Sequence, residues 1–187
     1  MLGGTLISHV AMTSRQTAPF GLWPSPISAQ DLTRGARSFG FRQGDGPYVY
    51  WTEGRPEEKG RQVIVRAKPG VGSPEDVLPP PFSARSRVHE YGGAEFLVAD
   101  GTAWFVNNED QDIWQLAAGG APQRVTNAKT TRFADMCLDA SRKRLIAVAE
   151  RHKAGDDHAQ PENLIVAIGL DGRARGRISE LTQGHDF

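Results

Sequence analysis

Cysteine is nearly absent. Cys137 is the single cysteine in 187 residues, so no intramolecular disulfide can form. It lies in the apolar run Met136-Cys137-Leu138, where a free cysteine is expected to be buried and to act as a small hydrophobe. A lone thiol suits a reducing compartment, and cytoplasmic placement is the expectation. Net charge is absent too: Lys+Arg and Asp+Glu are both 22. That balance removes the electrostatic reason to bind nucleic acid or an anionic membrane, and neither is an expected partner. No stretch approaches the roughly 20 apolar residues of a membrane helix. Met1–Ala11 has no basic n-region and a weak apolar core, which argues against a signal peptide. Met12 offers a second start, and the first eleven residues carry no reading of the fold.

The motifs of catalysis are missing as well. None of the ten serines has glycine two residues before it, so there is no G-x-S-x-G elbow. The dinucleotide and phosphate-loop glycine patterns, H-E-x-x-H and a zinc-binding cysteine pair are also missing. Neither a cofactor nor a metal is expected. His152 and His158 flank Asp156-Asp157, but a charged run between strands is read as a solvated loop rather than a metal site.

What is present is the texture of short strands. Glycine (21) and proline (12) are generous, and hydrophobic residues make up 39%, which favours many turns over long helices. Residues 1–46 are read as an irregular segment, in which Trp23-Pro24-Ser25-Pro26 excludes regular helix. A short helix is expected over 28–37, with Ser28 as N-cap and Asp31 at N3. Residues 47–187 are read as an incomplete β-propeller. Strands are expected at 48–51, 62–66, 95–98, 102–106, 112–116, 122–125, 133–138, 144–150, 163–170 and 175–179. Turns are expected at 53–60, 69–74 and 139–143, and Pro79-Pro80-Pro81 is read as extended. Asp100-Gly101 between two apolar runs predicts a hairpin.

Spacing carries the fold class. Matching strands at Val49–Trp51, Trp104–Val106 and Ile146–Val148 begin 55 and then 42 residues apart. Repeats of about 40–50 residues, each with three or four short strands, mark a β-propeller. A β-sandwich would space its strands similarly but would not explain the repeat length. The prediction is all-β: about three blades of antiparallel strands behind an irregular N-terminal segment. Propellers typically have about 4–8 blades, so three blades ending soon after a strand read as architecture cut short. Trp51, Trp104 and Trp114 are expected in the packing between blades.

The densest chemistry lies in Arg85-Ser86-Arg87-Val88-His89-Glu90-Tyr91-Gly92-Gly93. In one reading this is a substrate-facing loop, with Glu90 holding a positive group and Arg87 a carboxylate or peptide carbonyl. In the other, which is preferred from these residues alone, it is a structural turn. Gly92-Gly93 then leads the chain into the next blade, Tyr91 fills a core gap, and Arg87 pairs with Glu90.

Several strings resemble one family in the same order. They are Trp23-Pro24-Ser25-Pro26-Ile27, Tyr50-Trp51-x-Glu53-Gly54-Arg55-Pro56, Leu78-Pro79-Pro80-Pro81-Phe82 and Arg87-Val88-His89-Glu90-Tyr91-Gly92-Gly93. Leu138-Asp139 with Arg144–Val148, and Glu162–Ile168, continue the match. Over residues 19–187 the chain resembles the N-terminal part of prolyl-oligopeptidase-family (S9) serine peptidases of the acylaminoacyl-peptidase or dipeptidyl-aminopeptidase type. The resemblance implies a propeller that restricts access and holds short peptides, followed in such proteins by an α/β-hydrolase domain with the Ser-Asp-His triad. No catalytic residue carries over to this chain. The substrate-binding residues it implies are Arg87, His89, Glu90, Tyr91 and Glu150, with Glu90 and Glu150 as acidic grips for a substrate N-terminus. Arg151-His152 departs from the family pattern, which has an acidic residue before the histidine.

Two functions follow. The first is the propeller part of a serine exopeptidase or oligopeptidase, whose partners are a peptide and a hydrolase domain absent from this chain. The alternative is a stand-alone propeller-like binding protein that self-associates through its exposed blade faces.

Overall fold

The computed structural model describes residues 17–22, 25, 27, 28, 31, 35–156 and 159–184. The chain divides into two units, Met1–Thr33 and Arg34–Phe187. In the first, Ser28 and Asp31 cap each other. The Asp31 amide donates to Ser28 Oγ (3.0 Å), and the Ser28 amide donates to Asp31 Oδ2 (3.1 Å). This is the expected N-cap with its N3 acid. Asp31 is helical, but Gly35–Arg37, expected within the same helix, are not. Trp23, Pro24 and Pro26 lie outside the described residues.

The second unit is built of three four-stranded antiparallel sheets, each a simple meander. Sheet I contains β1 (Ser38–Asp45), β2 (Tyr48–Arg55), β3 (Arg61–Lys68) and β4 (Val71–Asp76). Sheet II contains β5 (Phe96–Ala99), β6 (Thr102–Val106), β7 (Ile113–Leu116) and β8 (Gln123–Arg124). Sheet III contains β9 (Thr131–Asp139), β10 (Arg144–Arg151), β11 (Glu162–Gly169) and β12 (Ile178–Gly184). No helix among the described residues is long and apolar enough to cross a membrane.

The three strands that carry the repeat are the second strands of their sheets: β2, β6 and β10. The longer first interval goes into a connection. β4 to β5 takes 19 residues, against six from β8 to β9. The first strands contact one another in sequence, β1 with β5 and β5 with β9. Sheets that meet along their first strands and stack face to face are blades around an axis.

Strand alternation builds the core. In β6, Ala103 and Phe105 point into one buried cluster with Tyr50, Ile64, Val98 and Leu116. Their neighbours Trp104 and Val106 point into the other, with Ile113, Phe133, Leu145 and Val166. Sheet II is thus covered on both faces by its neighbours, as period-2 alternation requires of a middle blade. Trp104 is buried between blades, while Trp51 and Trp114 pack at the margin of the first cluster.

Local readings change in five places. First, β1 forms within the segment read as irregular. Its sequence SFGFRQGD is short of apolar residues beyond Phe39 and Phe41 and is largely exposed, so its strand signal is weak. It forms because β2 offers an edge to pair with and Gly46, at φ +54°, closes the hairpin. Gln43 then bridges to the next blade: its Nε2 donates to the Val98 carbonyl (2.8 Å) and its Oε1 accepts from the Val98 amide (2.9 Å). Second, β2 continues through Glu53–Arg55, and β4 starts at Val71, where turns were expected. Arg55 is sheltered there by a two-oxygen ion pair with Asp76 (2.5 and 2.6 Å). Third, Pro80-Pro81 forms a turn closed by the Phe82 amide on the Pro79 carbonyl (3.2 Å), not an extended run. Fourth, β12 starts at Ile178 and runs to Gly184.

Fifth, Cys137 is exposed. Met136 takes the inward position of β9, and one residue on the pleat turns Cys137 to the opposite face. A disulfide reagent such as DTNB is therefore expected to titrate one thiol in the native chain without denaturant. A thiol that reacts only after denaturation would restore the buried reading.

Candidate functional site

Antiparallel meanders return the chain to the same end every second connection. The β4–β5, β6–β7, β8–β9 and β10–β11 connections therefore share one end of the stacked blades. The longest of them, residues 77–95, carries the Arg85–Gly93 cluster.

Its first half is bound to sheets II and III. Ala84 bridges Asn107, and the Arg85 amide donates to the Val106 carbonyl (2.9 Å). The buried Ser86 hydroxyl donates to the Phe133 carbonyl (2.7 Å). The Arg87 amide donates to Gln111 Oε1 (2.8 Å), whose Nε2 donates to the Arg85 carbonyl (3.1 Å). The chain then turns tightly. The Glu90 amide donates to the Arg87 carbonyl (3.1 Å), and the Gly92 amide donates to the Val88 carbonyl (2.9 Å). His89 (φ +52°), Glu90 (φ +63°) and Gly92 (φ +84°) are left-handed. For the two non-glycine residues this costs about 1 kcal/mol or more each and persists only where the surroundings hold it. Gly92 is required, because a Cβ there would lie 2.8 Å from the Ser86 carbonyl oxygen.

What holds the turn is Arg132, at the start of β9. Its Nη1 donates to the Arg87 carbonyl (2.8 Å) and to Glu90 Oε1 (2.6 Å), and it lies 3.4 Å from Glu150 Oε2. Arg132 and Glu150 face each other in the β9–β10 register. The Glu150 side chain is 5% exposed and that of Glu90 is 74% exposed. Bonded to the Arg132 guanidinium and close to its charge, the Glu90 carboxyl is held below the usual carboxylate range. His152 Nε2 lies 3.1 Å from Glu150 Oε2 but off the line of a hydrogen bond, which leaves that buried nitrogen without a hydrogen-bond partner. His89 Nε2 lies 3.0 Å from Asn163 Oδ1, tying the turn to β11. Beside this network opens a cleft of about 380 Å³, whose walls include Arg87, Gln111, Thr130, Arg132, His152 and Lys153.

Of the residues singled out in the sequence, Arg87, Glu90 and Glu150 converge on Arg132, and His89 is fixed beside them. Tyr91 stands apart. It is 96% exposed and fills no core gap. Arg87 and Glu90 do not pair with each other: the Arg87 guanidinium donates to the Asn108 carbonyl (3.2 Å) and Glu90 pairs with Arg132. Arg132 and Asn163 went unseen in the sequence, since only the register places Arg132 opposite Glu150. His158 and Asp157 lie outside the described residues. Among the described residues, no three His, Cys, Asp or Glu side chains are grouped to hold a metal.

Stacked four-stranded meanders with their connections gathered over a polar cleft define a partial β-propeller. No family model matches the chain, and no curated protein matches it. Solved structures do. The chain is 37% identical to a Mycobacterium tuberculosis puromycin-hydrolyzing peptidase, at a TM-score of 0.77, covering 92% of this chain and 28% of that one. A puromycin hydrolase mutant complexed with PGG aligns at 30% identity and a TM-score of 0.76, over 89% of this chain and 27% of that one. A further puromycin hydrolase structure aligns at 30% identity and 0.75, over 90% and 28%. These neighbours are prolyl-oligopeptidase-like (S9) peptidases, and the chain matches their N-terminal propeller part. It spans a little over a quarter of the length of these structures.

Proposed function

We propose that this chain is the peptide-holding part of an S9 serine exopeptidase of the acylaminoacyl or aminopeptidase type, acting in the cytoplasm. In this reading the propeller gates access to an α/β-hydrolase domain that supplies the triad, and Glu90 receives the ammonium end of a short peptide. One observation carries the reading: an exposed carboxylate on a left-handed turn, braced from below by Arg132 and set beside a polar cleft. Glu90 Oε1 is engaged by Arg132, and Oε2 has no partner among the described residues. Arg87 at the cleft wall suits a peptide carbonyl or carboxylate. An exposed, reduced Cys137 suits the cytoplasm.

The test is calorimetric titration of the chain with Ala-Ala-Ala and with its N-acetyl counterpart. The free-amine peptide is expected to bind, and Glu90→Gln is expected to weaken it roughly tenfold or more, since a charge-assisted hydrogen bond contributes about 1.5–3 kcal/mol. The chain alone is expected not to hydrolyse aminoacyl p-nitroanilides. Equal binding of blocked and free peptides would remove the ammonium role. Fluorophosphonate-sensitive turnover by the chain alone would remove the division of labour.

A further inference from the structure

We infer that Arg132 is the positioning residue of this site, and that Glu150 acts through Arg132 rather than on the ligand; the ligand part of this inference rests on the peptide reading above. Arg132 Nη1 gathers three acceptors from two segments: the Arg87 carbonyl and Glu90 Oε1 on the turn, and Glu150 Oε2 on β10. The Arg87 carbonyl also closes the turn, because it accepts the Glu90 amide. One guanidinium therefore fixes both the backbone that aims Glu90 and the carboxylate itself. Glu150 lies behind it, with its side chain 5% exposed between Arg132 and His152, where a ligand reaches it only by displacing them. A buried carboxylate opposite an arginine in register holds that arginine's charged end in place. The two acids named from the sequence thus divide: Glu90 is the contact and Glu150 is the brace.

Amide hydrogen exchange at Glu90 and Gly92, measured together with Ala-Ala-Ala affinity, tests this on the intact chain. Arg132→Met is expected to speed exchange at both amides tenfold or more and to cut affinity at least tenfold, while amides within β10 and β11 stay protected. Arg132→Lys, which keeps the charge but not the fork, is expected to fall between Arg132→Met and the parent. Glu150→Gln is expected to speed exchange at Glu90 and Gly92 several-fold while lowering affinity in parallel. Unchanged exchange at these amides in Arg132→Met overturns the inference. So does a Glu150→Gln variant that loses affinity with exchange unaltered, because that is the signature of a direct ligand. Should Arg132→Met lose protection throughout sheet III, exchange in Arg132→Lys and Glu150→Gln decides. If the parent chain binds no tripeptide, the peptide reading fails while the exchange data still judge Arg132.

Discussion

Phe105→Ala is expected to lower stability by about 3–5 kcal/mol, the range for emptying a large aromatic site in a core that collapses poorly. Phe105 is fully buried in β6, opposite Phe96 on one side and Trp114 on the other in the sheet register. Its ring meets Phe82 edge-on, with centroids 5.9 Å apart. The cluster around it joins sheets I and II, so the cavity would sit at the seam between two blades and neither sheet could close it alone. Urea unfolding should show a lower midpoint at an unchanged slope. Val49→Ala, on a position 39% exposed, serves as the control and should shift little. A Phe105→Ala midpoint as small in its shift as that of Val49→Ala would mean that the seam is not packed as described.

Asp112→Ala is expected to remove about 2–4 kcal/mol by a different route. Asp112 is 2% exposed. Its Oδ1 accepts from the Thr126 hydroxyl (2.7 Å) and from the Ala128 amide (2.9 Å), and its Oδ2 lies 3.3 Å from the Arg124 guanidinium. Thr126 Oγ1 in turn accepts from the Ile113 amide (2.9 Å). One carboxylate therefore pins the connection by which sheet II hands the chain to sheet III. Alanine would leave a hydroxyl and an amide buried without their acceptor, the costly way to lose a hydrogen bond. Asp112→Asn keeps an oxygen acceptor and should lose roughly half as much. Equal losses for the two variants would place the energy in the charge pair with Arg124 rather than in the two neutral donors.

Much of the fold is legible because β-structure with two covered faces writes itself locally. The continuous apolar runs Ala103–Val106 and Leu145–Ala149, the Asp100-Gly101 hairpin and the recurrence of an apolar second strand are features of a few neighbouring residues each. They suffice to name the second strands of all three blades. Strand β1 is invisible for the complementary reason. Phe39 and Phe41 are its only large apolar residues, both exposed, and it is a strand because a partner edge exists, not because its own pattern demands one. Cys137 misleads in the same way. An apolar run predicts burial on average, but a strand buries alternate residues, and which alternate is chosen depends on the blade that packs against it.

The candidate site divides along the same line. Sequence alone determined that the chemistry concentrates in Arg85–Gly93, that no serine elbow is present, and that the chain is a run of propeller blades. These are properties of residue type and short spacing. Only the tertiary structure decided that Glu90 answers to Arg132 instead of Arg87, that Tyr91 faces solvent and that Glu150 stands behind the site. Arg132 is 42 residues from Glu90 and 18 from Glu150 along the chain. It reaches both because antiparallel register sets it opposite one acid while the 19-residue β4–β5 connection carries the other over the same end of the blades. Register and loop path are set by the packing of whole sheets, and a one-residue slip in β9 would turn Arg132 to the opposite face and dismantle the group.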